Sequence, residues 1–191
     1  MFSFLRSVLL GTLLLFLQFT VHGQDGKAPA TNSDLAAADQ LYRAGKFVEA
    51  ETSYQAILKS NSKLVPAQVG LVRAMLRQQK IDEAFDAVTT ALATRPDSAM
   101  LLAAKGDVQF RRAEMPDAEL SYLAAKKLDP NKVHAYLGLA KLYRCYSLYR
   151  KAYDLLQSAH EIAPDDIEVQ SCLLYTSGPV QLTILSKLAG R

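Results

Sequence analysis

The sequence has no tryptophan, two cysteines and three histidines in 191 residues, and each scarcity excludes something. Cys145 and Cys172 cannot make the disulfide framework that staples a small secreted domain. His22, His134 and His160 are scattered, and no pair of histidine or cysteine residues has metal-ligand spacing. Glycine-rich phosphate loops, nucleophile motifs and helical histidine–carboxylate pairs are absent, so the visible region is read as non-catalytic, with no cofactor and no evident small-molecule substrate. The formal charge of +3 is too small to argue for nucleic acid. Half of the residues are apolar, enough for a core, and charges of both signs are interspersed.

Long apolar runs are equally scarce, with one exception. Val8 to Phe19 is nearly continuous in apolar residues, Arg6 is the only charge before it, and Val21-His22-Gly23 follows. At about 12 residues the run is shorter than the roughly 20 that span a bilayer. Met1–Gly23 is therefore read as a secretory signal cleaved after Gly23, which implies an exported, periplasmic or secreted protein whose membrane contact is limited to that segment. Residues 24–33 read as a polar linker, with Ser33 or Asp34 as cap of the first helix.

What is abundant is alanine at regular spacing. Ala118 and Ala152, Ala125 and Ala159, and Pro130 and Pro164 are each 34 residues apart, and the register extends back to Ala84, Ala91 and Pro96, then to Ala50. This period marks tandem helical hairpins. Small residues are expected midway along each first helix (Ala38, Val72, Gly106, Ala140) and early in each second helix, because helices approach to roughly 8–9 Å only where side chains are small. Ala91, Ala125 and Ala159 are expected to face the next unit. Larger residues fill in around them: Phe47, Ile81, Met115 and Tyr149 at one position, Tyr54, Val88, Tyr122 and Leu156 at another. Pro96, Pro130 and Pro164 close the second helices.

These residues resemble the tetratricopeptide repeat, whose pattern has small residues at two inter-helix contacts, a late aromatic and a closing proline. Four units, about 31–64, 65–98, 99–132 and 133–166, carry the resemblance; the first has Ser62 for the proline and Ile57 for an alanine. Asp34, Gln68, Leu102 and Tyr136 stand where the family's tryptophan would. The resemblance implies an all-α, right-handed superhelical stack and a binding module for protein or peptide. Some relatives grip the acidic C-termini of heat-shock chaperones with lysines and asparagines; Leu35, Asp39, Val69 and Gly70 occupy matching positions here, so that mode is not transferred.

Asp165 and Asp166 are expected to cap a further helix starting at Ile167. After Gln170 the register fails. Cys172-Leu173-Leu174-Tyr175-Thr176-Ser177 resembles a translated transposon end from sequencing libraries, and Gly178-Pro179 is expected to break the helix. Residues 167–191 are thus read as the start of a fifth unit followed by a non-native tail, the alternative being a real C-terminal cap over the last hairpin's exposed apolar face. One alternative is that the repeats are the N-terminal part of an exported enzyme, such as a peptidase; another is a structural role in an envelope assembly.

First helices should line a concave groove. One ladder along it is Arg43, Arg77 and Arg111, with Arg144 one residue out of register; a second is Asp39, Arg73, Asp107 and Lys141, alternating in sign; Tyr42, Leu76 and Phe110 sit beside the arginines. Arginines there could grip carboxylates while aromatics anchor apolar groups. A plainer account is that a basic residue at a helix C-terminus complements the helix dipole.

Overall fold

The computed structural model describes residues 32–189, so Met1–Gly23 and most of the linker lie outside the described residues. Nine helices and no strand occur among them. They pair as hairpins: α1 (Asn32–Arg43) with α2 (Phe47–Ser60), α3 (Val65–Arg77) with α4 (Ile81–Thr94), α5 (Ala99–Arg111) with α6 (Met115–Leu128), and α7 (Val133–Cys145) with α8 (Tyr149–Ile162). A ninth helix, α9 (Ile167–Ala189), packs on α8 and α7. Each first helix also touches the first helix of the next unit, so α1, α3, α5 and α7 form one continuous face.

The small residues are where the period puts them. Ala38, Ala50, Val72, Ala84, Ala118, Ala140 and Ala152 are all buried at hairpin crossings. Ala91 lies with Leu101 and Ala104 of the following unit, Ala125 with Ala135, and Ala159 with Val169. Pro66 and Pro116 sit in first helical turns, where the missing N–H is not needed.

Every hairpin turns through the same device. The first helix ends with the backbone N–H of Lys46 bonding the carbonyl of Leu41, and this recurs as Lys80 to Met75, Glu114 to Gln109 and Leu148 to Tyr143. Such a closure needs a left-handed residue just before the donor. Gly45 supplies it with φ +77°, and Gln79, Ala113 and Ser147 adopt φ of 65°, 62° and 59° at the equivalent places.

Two sequence expectations are corrected. Ser33 and Asp34, expected to cap the first helix, lie within its described span, Asn32–Arg43. Gly178-Pro179 does not break α9, which runs on to Ala189. The early turns of α9 are secured first: Val169 and Thr176 are fully buried, Cys172 and Leu173 pack on the fourth hairpin, and the Thr176 hydroxyl bonds the Cys172 carbonyl at 2.7 Å. A helix so anchored tolerates a proline that removes one backbone hydrogen bond. At the start of α9, Asp166 rather than Asp165 caps, its Oδ1 accepting from the backbone N–H groups of Glu168 (2.8 Å) and Val169 (3.1 Å). No described helix is long and apolar enough to cross a membrane.

Candidate binding groove

Spacings of three and four residues put Asp39, Tyr42 and Arg43 on one stripe of α1, and Asp107, Phe110 and Arg111 on the same stripe of α5. Arg73 and Arg77 do the same on α3. These stripes line two open cavities. The first, about 250 Å³, is bounded by Asp39, Tyr42, Arg43, Tyr54, Pro66, Val69, Gly70, Arg73 and Met100. The second, about 360 Å³, is bounded by Tyr42, Arg73, Leu76, Arg77, Asp107, Phe110, Arg111, His134, Leu137, Gly138, Lys141 and Glu168. Tyr42 and Arg73 belong to both, so the cavities form one groove.

Nine of the ten expected groove residues are brought together there. Arg144 is not. It stands one residue before the position equivalent to Arg77, and one residue is about 100° of rotation around a helix; Cys145 occupies the equivalent place and is exposed.

Both groove aspartates are held from below. The Tyr54 hydroxyl donates to Asp39 Oδ1 at 2.5 Å, and the Tyr122 hydroxyl to Asp107 Oδ1 at 2.7 Å. Burial first, then these carboxylate partners, push both phenols well above their ordinary pKa, so they stay protonated donors. Asp107 has a second partner, His134 Nε2, 2.6 Å from Oδ2. Burial opposes the Asp107 charge, but His134, the Tyr122 hydroxyl and Lys141 outweigh it and hold the carboxyl below its usual range. The Asp107 charge in turn raises His134 above an ordinary imidazole, against the opposing effect of burial.

Cations lie over rings along the groove. Arg73 is 5.4 Å from the Tyr42 ring centroid, Arg77 4.7 Å from Phe47, and Lys141 5.2 Å from Phe110. Arg111 donates to Gln79 Oε1 at 2.6 Å, and Arg43 is exposed. The arginines therefore present oriented cations beside aromatic surface. Arg43, Arg77 and Arg111 each end a helix, so the dipole account holds alongside this one.

Sequence reasoning missed His134, Glu168, Pro66 and Met100, and it used Val69 and Gly70 only to reject a chaperone clamp. The signal was available as a spacing of 68, two units, that links Pro66 to His134 and Gly70 to Gly138. A further cavity of about 430 Å³ lies on the other side, lined by Leu58, Leu71, Ala87, Ala91 and Gln68 among others.

Residues 41–108 match the family description "Tetratricopeptide repeat". Over that span the chain is similar to tetratricopeptide repeats. Solved repeat structures agree on the fold. TTC0263, a thermophilic repeat protein of Thermus thermophilus, superposes with a TM-score of 0.67 at 22% identity, covering 77% of this chain and 81% of its own. The first repeat domain of human RPAP3 gives 0.57 at 20% identity, covering 64% and 97%. The first repeat domain of Spaghetti (RPAP3), solved with the HSP90 peptide SRMEEVD, gives 0.55 at 20% identity, covering 63% and 96%. No curated protein matches the chain by sequence.

Proposed function

We propose that this repeat array is a non-catalytic interaction scaffold that holds an extended partner segment along the groove of α1, α3, α5 and α7. The observation that carries this is the continuity of the two cavities through Tyr42 and Arg73, which makes a trough with cations and aromatic rings along its length. The peptide-bound relative supports protein or peptide as the partner class. Export of the mature chain from residue 24 belongs to the same proposal. An intact-mass measurement on exported protein that still contained Met1–Gly23 would overturn it.

The groove is tested by replacing Arg43, Arg77 and Arg111 together with glutamate. Partner captured by the wild type and the triple variant is quantified side by side, with circular dichroism as a folding control. A loss of about tenfold or more is expected, since truncated or reversed charge pairs at interfaces cost a few kcal/mol. Undiminished capture by a fully helical variant rejects the groove.

A further inference from the structure

The two cavities are one site built twice. Move the lining of the first on by 68 residues and eight of its nine positions reappear in the second. The ninth, Tyr54, becomes Tyr122, which bonds Asp107 as Tyr54 bonds Asp39. Each copy has a tyrosine-held aspartate, a ring (Tyr42 or Phe110) beneath a cation from the next first helix, and an arginine closing its own first helix. One unit out of phase the set fails: Arg73 stands at the aspartate position, Leu76 at the ring position and Val88 at the tyrosine position. The chemical repeat of the groove is thus two hairpins, and the groove contains two of them.

The first copy sets Arg43 and Arg73 against Asp39; the second sets Arg73, Arg77, Arg111 and Lys141 against Asp107 and Glu168, so cations outnumber carboxylates in both, and each aspartate already accepts a tyrosine hydroxyl's hydrogen bond. What remains is a positive slot beside an aromatic face. Carboxylate between guanidinium and ring-stacked cation, with an apolar group on the ring, is the ligand such a slot suits. We propose that the groove holds two equivalent subsites for a short acidic–apolar motif, and that its partner is an extended acidic segment carrying that motif twice. This rests on the groove reading above. First helices pack at roughly 8–10 Å, so equivalent points on α1 and α5 lie about 20 Å apart, a span that about six extended residues bridge.

The test uses the full chain and three synthetic peptides followed by fluorescence anisotropy. One carries two Glu-Glu-Leu motifs joined by a spacer of about six Gly/Ser residues. The second has one motif changed to Gln-Gln-Leu, and the third keeps both motifs with a spacer too short to reach. The two-motif peptide should bind about 10- to 100-fold tighter than the single-motif peptide through effective concentration. The short-spacer peptide should fall to the single-motif value. So should the two-motif peptide on Arg43→Glu/Arg73→Glu and on Arg111→Glu/Lys141→Glu, both checked for unchanged helicity. Equal affinities, beyond the statistical factor of about two, overturn the duplication; the groove then stands or falls on partner capture by the arginine triple variant. If no peptide binds, the acidic ligand class is wrong, whatever that capture shows.

Discussion

The first and third hairpins solve a packing problem differently from the second and fourth. In the odd hairpins the second helix sends up a tyrosine, and a glycine of the next first helix makes room: a Cβ at Gly70 would overlap the Tyr54 ring, and one at Gly138 the Tyr122 ring. In the even hairpins Val88 is buried in one cluster with Ala104, and Leu156 in one with Cys172. Large-with-glycine alternates with medium-with-small, so volume is traded across the inter-hairpin contact while the backbone keeps its period. Only the tyrosines carry a hydroxyl to the groove floor. The first helices follow suit, with Asp39 and Asp107 on odd units and Arg73 and Lys141 on even ones. The backbone thus repeats every hairpin, and this side-chain packing and the charge every second hairpin.

The strongest way to break this comparison is to turn the third hairpin's pair into the second's. Tyr122→Val alone leaves a cavity and takes a donor from Asp107; a loss of roughly 2–4 kcal/mol is expected. Gly138→Ala alone forces a methyl into the ring, for roughly 1–3 kcal/mol. Together they rebuild the Val–Ala arrangement, and the double variant should be more stable than the sum of the singles by about 1 kcal/mol or more. Urea denaturation of all four proteins reads the coupling. Strict additivity would mean that tyrosine and glycine are not compensating partners.

The turns offer a smaller contrast. The first hairpin uses glycine for its left-handed residue, and the third uses Ala113 at φ 62°. A left-handed alanine costs about 1–2 kcal/mol relative to its preferred conformations. Ala113→Gly should therefore raise stability by about 1 kcal/mol, less a few tenths for the freer unfolded chain, and Gly45→Ala should lower it comparably. A thermal melt in which both substitutions moved the midpoint the same way would show that the two turns are not equivalent.

The fold was legible because its cause is local and periodic. Small residues at Ala50, Ala84, Ala118 and Ala152 fix the crossings, and prolines fix the ends. Nine of the ten expected groove residues line the two cavities because they keep the repeat's register, which Arg144 misses by one residue. What stayed hidden depends on pairs that no single 34-residue register displays. Tyr122 was visible as a large apolar position, but not as the donor to Asp107. Gly138 has no place in the 34-residue pattern, and its role appears only with the Tyr122 ring against it. His134 looked scattered because its partner is 27 residues away on another helix. Gln79, Ala113 and Ser147 concealed their turns because they are not glycine. The continuation of α9 through Pro179 was hidden by a rule that holds for unanchored helices.

His134 gives the finest contrast, since Pro66 occupies its place in the first subsite. Folding holds the His134 proton more tightly than the unfolded chain does, because Asp107 raises its pKa. Its contribution is therefore complete below about pH 6.5 and is lost as pH rises through the raised folded value. Asp107 is held below its usual range, so its contribution is present above about pH 4 and is lost as pH falls through the depressed value. The pair is strongest between those limits. His134→Pro suits the first turn of α7, as Pro66 suits that of α3, and removes the pair. The wild-type advantage over this variant should shrink by roughly 0.5–1 kcal/mol between pH 5.5 and pH 9, a modest figure because the His134 side chain is 35% exposed and screened. The reciprocal Pro66→His should import the same pH dependence by pairing with Asp39. If His134→Pro flattens the profile and Pro66→His does not create one, then Asp39 and Asp107 differ in more than their neighbour, and the two subsites are equivalent in shape but not in charge.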